Sequence, residues 1–155
     1  MPSKPTTHGH WEYERGSTPV FLFMSPEPLP SEVAVFIGEH LLTIDEIEAL
    51  NAMRDAPGRW WDAKLMCREL GVPLSTARFI LDHLAALNLL DIRVSDEVRY
   101  RLQPGTPELN QIVCDLVSVY RTNRDVVVRA IARVARRGVL DFADAFKLRK
   151  NDGNR

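Results

Sequence analysis

Two short runs of alternating residues, separated by three polar residues, constrain the fold more than any other feature of the chain. In Leu90–Val94 and in Val98–Leu102 every second residue is apolar, and the residues between them are charged. This period of two is typical of a strand with one buried face, and Ser95-Asp96-Glu97 is short enough for a tight connection. The sequence therefore predicts an antiparallel hairpin with one apolar face. The other face carries Arg93, Arg99 and Arg101.

The residues ahead of the hairpin carry two signals for the start of a helix. Thr43 and Glu46 have the spacing of a capping box, in which the hydroxyl accepts from one amide and the carboxylate reaches back to another. Ser31 is placed to cap a shorter helix before it, with Val33 and Phe36 on the apolar face. Two helices are therefore predicted in succession.

Further signals mark the next two helices. Asp62 is placed to cap a helix that Gly71 closes, since glycine readily adopts the left-handed conformation. Pro73 suits the first turn of another helix, which is predicted to extend to about Leu87. Asn88 then stands where a left-handed residue usually ends a helix.

A short aromatic segment, Arg59-Trp60-Trp61, precedes these two helices and is predicted to be a brief strand. The two tryptophans could stack on a base or a ligand. Burial of at least one of them in the core beneath the hairpin is the interpretation we favour.

A long helix is predicted from Thr106-Pro107 to Gly138, followed by a last helix over residues 142–150 that Asp141 caps. Apolar residues along the long helix are spaced alternately four and three apart, as in a coiled-coil seam, and Asn123 lies in the same stripe. We expect a homodimer through this stripe. The expected dimer contacts are Leu116, Tyr120, Asn123, Val127 and Val134. Packing of the stripe on the chain's own domain stays open as the alternative.

The order helix, short strand, helix, tight turn, helix, hairpin and long helix resembles the winged helix-turn-helix of MarR-like bacterial transcriptional regulators. The resemblance is carried by Arg59-Trp60-Trp61-Asp62, Arg68-Glu69-Leu70-Gly71-Val72, the helix at 73–87 and Asn88-Leu89-Leu90. It implies a mainly α protein with a small β-hairpin and flanking helices that dimerise. It also implies double-stranded DNA as the partner.

The resemblance makes residues 73–87 the recognition helix. Ser75, Thr76 and Arg78 are then expected at a major groove, where such side chains contact base edges and phosphates. Phosphate contacts are expected from the hairpin residues Arg93, Arg99 and Arg101.

Acidic residues depart from the pattern of a DNA-binding winged helix. Asp82 lies on the recognition helix, and the hairpin turn, or wing tip, is Asp96-Glu97 rather than Arg or Lys. Residues 73–88 hold one arginine and one aspartate, so their net charge is zero with histidine neutral. A second hypothesis therefore stays open, an adaptor that binds a protein partner through the winged-helix surface and does not bind DNA specifically.

Charge is balanced overall but not along the chain. Residues 1–120 hold ten basic and seventeen acidic residues, whereas residues 121–155 hold ten basic and four acidic residues. The basic end favours a polyanion or an acidic partner surface. Pairing of that end with the acidic part of its own or a neighbouring chain is the equally weighted alternative.

Four segments are predicted from composition and pattern. Residues 1–30 form an extended arm, because they hold six of the ten prolines. Its apolar run at 20–24 is expected to dock on the domain or on a second subunit, while a metal site at His8 and His10 is disfavoured. The winged-helix domain is predicted at 31–105, the C-terminal helices at 106–150 and a tail at 151–155.

Composition excludes several classes of protein. The apolar runs are far shorter than the roughly 18 residues that a membrane span needs. Cys67 and Cys114 form no C-x-x-C pair, which favours a reduced, cytoplasmic protein with two buried thiols. The chain lacks a phosphate-binding glycine loop, G-x-S-x-G and H-E-x-x-H, so we expect no enzyme, no cofactor and no metal.

Overall fold

Six helices and one hairpin make up the part of the chain that the structure, a computed structural model, describes, residues 29–151. The predictions for most of the arm, including residues 20–24, His8 and His10, and for residues 152–155 lie outside that part. The elements are α1 Ser31–His40, α2 Ile44–Asp55, α3 Ala63–Leu70, α4 Leu74–Ala86, β1 Leu90–Val94, β2 Val98–Leu102, α5 Pro107–Thr122 and α6 Arg124–Asn151. The predicted mainly α fold with a single hairpin is confirmed, and the order of α2 to β2 is that of a winged helix-turn-helix.

The predicted caps of α2 and α3 are present. Glu46 N–H donates to the Thr43 hydroxyl at 3.3 Å, and Thr43 N–H donates to Glu46 Oε2 at 2.7 Å. Leu65 N–H donates to Asp62 Oδ1 at 2.7 Å, and Gly71 ends α3 with a φ of 68°. The prediction for α1 is wrong, because Pro30 occupies the cap position and no side chain caps that helix.

The predicted strands form an antiparallel hairpin with the predicted turn. Leu90, Ile92 and Val94 face Leu102, Tyr100 and Val98. Only the end next to the helices is buried, since Tyr100 is 5% exposed and Val94 is 76% exposed. The predicted apolar face is therefore only partly covered by the chain itself.

The predicted aromatic strand is reduced to a single bridge. Trp61 N–H donates to the Tyr100 carbonyl at 2.7 Å, and Tyr100 N–H donates to the Trp61 carbonyl at the same distance. Trp61 is 2% exposed and belongs to the core beneath the hairpin.

The prediction of one long helix is wrong in two places. Asn123, with φ −149° and ψ 69°, separates α5 from α6, and its N–H donates to the Val119 carbonyl at 2.7 Å. Asparagine competes for backbone hydrogen bonds with its own side chain and so often stands at a helix end. The helix α6 instead continues through Gly138 and Asp141, because one glycine costs a helix only about 1 kcal/mol.

One core joins the winged helix to the flanking helices. The helix α1 packs on α5 and α6, and α5 packs on α2. Both cysteines are free and half-buried rather than buried. The helix α4 is thus held on a scaffold that extends to both ends of the described chain.

Candidate nucleic-acid interface

The helix α4 presents one face to the core and another to solvent. Its buried residues are Ala77, Ile80, Leu81 and Leu84. Ser75, Arg78 and Phe79 are exposed, and Thr76 is half-buried. The predicted major-groove residues therefore lie on the free side of the helix, with Thr76 nearest its edge.

Two adjacent residues near the end of α4 fix the helix to its neighbours. The Tyr100 hydroxyl donates to Asp82 Oδ1 at 2.5 Å. This bond ties the wing, which is the hairpin of β1 and β2, to α4. On the other side, His83 Nδ1 pairs with Oε1 of Glu46, which is 1% exposed. The imidazole of His83 is half-buried against this carboxylate.

Burial of the Tyr100 ring, together with the hydrogen bond to Asp82, raises the pKa of Tyr100 to about 12. The phenol therefore stays protonated at neutral pH and remains a hydrogen-bond donor. Asp82 thus has a hydrogen-bond donor within the chain.

A cleft of about 500 Å³ lies between α4 and the wing. Its charged lining consists of Asp62, Asp82, Asp96, Glu97, Lys64 and Arg78. Lys64 Nζ lies 3.3 Å from Glu97 Oε1, so part of this charge is compensated. Arg78 thus lies on the wing side of α4, within a predominantly acidic cleft.

The three arginines predicted to contact phosphates lie on the outer face of the wing, and their surroundings differ. Arg93 and Arg99 lie directly opposite each other, are exposed, and have no ion-pair partner among residues 29–145. Arg101 instead donates to Asp91 and to Gln103, each at 2.8 Å, and its guanidinium lies 4.6 Å from the centre of the Trp60 ring. These contacts hold the guanidinium of Arg101 at the base of the wing.

The six predicted DNA-binding residues form two groups. Neighbouring residues of a strand point to opposite faces. Tyr100 faces α4, so Arg93 and Arg99 are on the face of the hairpin turned away from that helix. Arg78 is beside the wing's inner face, together with Val98 and Tyr100. The structure therefore brings Ser75, Thr76 and Arg78 together and places the arginine pair apart from them.

Most of the predicted dimer stripe belongs to the chain's own core. Leu116 and Val127 are fully buried, and Tyr120 is 8% exposed, with its hydroxyl donating to Glu48 at 2.8 Å. Asn123 is half-buried at the break between α5 and α6. Leu116, Tyr120 and Val127 are thus buried by the chain's own fold, as expected for the packing alternative. An apolar stripe that packs in the chain's own core and one that forms a coiled-coil seam have nearly the same residue spacing, so the spacing alone does not distinguish them.

Val134 differs from the rest of the stripe. It is half-buried and lines a groove of about 590 Å³ between α1 and α6. Around this groove and along α6 several large apolar side chains are exposed. They are Val35, Leu41, Val139, Leu140 and Phe142.

The basic end of the chain pairs in part with α2. Arg121 donates to Asn51 and Asp55, each at 2.5 Å, and Arg124 donates to Glu48 at 2.9 Å. Further along α6, exposed arginines continue the basic face. These are Arg129, Arg133, Arg136 and Arg137.

No protein-family model matches the chain, and neither does any curated protein. Several solved structures match the chain. A MarR family transcriptional regulator from Silicibacter pomeroyi is 20% identical with a TM-score of 0.43, covering 74% of this chain and 86% of its own. A multiple antibiotic-resistance repressor from Listeria monocytogenes is 16% identical with a TM-score of 0.41, covering 79% and 85%. A possible transcriptional regulator from Methanosarcina mazei is 15% identical with a TM-score of 0.43, covering 63% and 85%. At these values the similarity adds nothing about function.

Within residues 29–151, no helix has the length and apolar character that crossing a bilayer requires. The same described residues contain no cluster of three or more side chains suited to hold a metal ion.

Proposed function

We propose that the chain is a double-stranded-DNA-binding transcriptional regulator that acts as a homodimer. The observation that carries the proposal is the pair formed by Arg93 and Arg99. Like charges directly opposite in a hairpin destabilise it, and neither guanidinium has a carboxylate partner among the described residues. Phosphates of a duplex would supply the missing negative charge.

The exposed side of α4 supports the same function. Ser75, Thr76 and Arg78 occupy its first two turns, and a helix of this kind fits a major groove. Asp82 is hydrogen-bonded to Tyr100 and His83 is paired with Glu46, so α4 would approach DNA as a rigid unit.

A homodimer would duplicate the exposed arginine pair of the hairpin and present two recognition helices to two half-sites. The proposed contact surface is the groove between α1 and α6 that Val134 lines, extended by the exposed apolar residues of α6. Exposed apolar patches of this kind are typical of protein contacts.

The test is titration of the parent chain with duplex DNA of mixed sequence at two salt concentrations. Binding that weakens steeply as salt rises would support the proposal, because counterion release makes phosphate contacts salt-dependent. A matched control replaces both Arg93 and Arg99 by Lys, which keeps the charge. Replacing both by Ala should lower the affinity. A parent chain that binds no duplex even at low salt would contradict the proposal.

The acidic cleft favours a second function, a winged-helix adaptor that holds a protein partner. Asp96 and Glu97 lie at the wing tip beside Arg78 and Val98, where a basic and apolar segment of a partner would fit. This alternative predicts no salt-dependent DNA binding in the same titration.

A further inference from the structure

The recognition helix carries an exposed aromatic side chain. Phe79 lies one turn after Ser75 and is 64% exposed, although a phenyl ring gains by burial. The core residues Ala77 and Leu81 flank it in sequence and point to the opposite side of α4. The exposed side of α4 therefore presents a large apolar ring beside polar and charged side chains.

Contacts with two other side chains fix the orientation of the Phe79 ring. Phe79 stacks on the imidazole of His83, with ring centroids 5.9 Å apart and an interplanar angle of 24°. His83 is held by Oε1 of Glu46, whose other oxygen, Oε2, accepts from Thr43 N–H at 2.7 Å. A chain of contacts thus runs from the start of α2 to the ring.

We propose that Phe79 is a specificity-determining residue that contacts the C5-methyl group of thymine in the major groove. This inference rests on the proposed function. Thymine is the unmodified base that presents a methyl group in that groove, and an apolar side chain is the matching contact. His83 and Glu46 are positioning residues, because they act on the base only through the ring.

The experiment removes one methyl group at a time. The parent chain is first used to enrich duplexes from a random-sequence library at low salt. Each thymine of the enriched duplex is then replaced singly by deoxyuridine, which lacks only the methyl group. We expect about a fourfold loss of affinity at one or two positions, since one buried methyl group is worth about 0.8 kcal/mol.

Phe79→Ala is measured on the same set of duplexes. We expect it to bind thymine and deoxyuridine duplexes equally, and Phe79→Leu, which keeps an apolar side chain, to retain part of the discrimination. Because Phe79 is exposed, neither change should lower the melting temperature appreciably. Glu46→Gln, which can still cap α2 but carries no charge, should weaken the discrimination without abolishing binding.

The outcomes separate the two proposals. If the parent chain binds every deoxyuridine duplex as tightly as the thymine duplex, the proposed role of Phe79 is overturned, while DNA binding itself is unaffected. Discrimination that persists in Phe79→Ala would assign the methyl contact to another residue. Failure of the parent chain to enrich or bind any duplex would overturn the proposed function, and this inference with it.

Discussion

Asn88 fills the space in which any side chain at Gly105 would have to lie. Asn88 adopts the left-handed conformation, with a φ of 61°. A Cβ atom placed on Gly105 would overlap its side-chain amide, and Gly105 N–H donates to the Asn88 carbonyl at 2.9 Å. The end of α4 and the end of the wing are therefore locked together at these two residues.

This contact predicts a paired substitution experiment. Asn88→Gly should be tolerated, whereas Asn88→Val should cost about 1–2 kcal/mol of the free energy of unfolding, because a branched side chain resists the left-handed conformation. Gly105→Ala should destabilise the parent chain but not the Asn88→Gly variant, in which the overlapping amide is absent. Urea unfolding of the parent chain, the three single variants and the double variant measures the coupling. Equal costs of Gly105→Ala in both backgrounds would contradict the contact.

The Tyr100 hydrogen bond predicts a loss of stability at high pH. The pKa of Tyr100 is raised from 10.0 to about 12. Since the folded-state value is the higher one, the stabilisation is complete below pH 10 and is lost as the pH rises towards 12. Tyr100→Phe should cost about 1 kcal/mol at neutral pH and should flatten this decline. Tyrosinate absorbance and the free energy of unfolding, followed together against pH, measure both effects.

Tyr120 serves as an internal comparison, because burial and its hydrogen bond to Glu48 also raise its pKa to about 12. Tyr100→Phe should therefore remove part of the decline and leave the part due to Tyr120. A decline in Tyr100→Phe as steep as in the parent chain would contradict the assignment.

Glu46 is predicted to stabilise the fold through two different contacts. Glu46→Ala should cost about 1–3 kcal/mol, because it removes the acceptor for Thr43 N–H and leaves His83 without its partner. Thr43→Ala should cost about 0.5–2 kcal/mol, since it removes only the cap of α2. Thermal unfolding of both variants measures these costs. A Glu46→Ala variant no less stable than Thr43→Ala would indicate that the pairing with His83 contributes nothing.

Replacement of the wing arginines is predicted to weaken binding to all DNA sequences alike. If Arg93 and Arg99 each hold one phosphate, losing either should lower the slope of log affinity against log salt by about one. Arg101→Ala should instead reduce stability, because Arg101 is bonded to Asp91 and packs on Trp60. Affinity at several salt concentrations, with the melting temperature of each variant, separates the two roles.

The sequence predicted the features that depend on near neighbours. Thr43 with Glu46, and Asn88 at a helix end, are signals within one turn of chain. The long-range partner of Glu46 could not be predicted, because His83 is 37 residues away in sequence. Arg101 is a different case, since two strands joined by the predicted turn pair Asp91 with Arg101, and this pairing could have indicated the ion pair.

The position of the proposed dimer surface could not be predicted from the apolar stripe. Val127 and Val134 share the same helical spacing, yet Val127 is fully buried in the chain and Val134 is half-buried at the edge of a groove. Only the location of α1 against α6 decides between them. The sequence pattern therefore identified the helix and not the part of its surface that remains free.

The last prediction concerns dimerisation through that free surface. Val139 and Leu140 on α6 are 68% and 59% exposed, so replacing both by Glu should leave the folded chain intact while placing charge in the proposed contact. We expect the parent chain to be a dimer in light scattering and the double variant to be a monomer with an unchanged circular dichroism spectrum. Val94→Glu, on an equally exposed residue of the wing, is the matched control and should stay dimeric. A monomeric parent chain, or a double variant that remains dimeric, would remove this surface from the proposed mode of DNA binding.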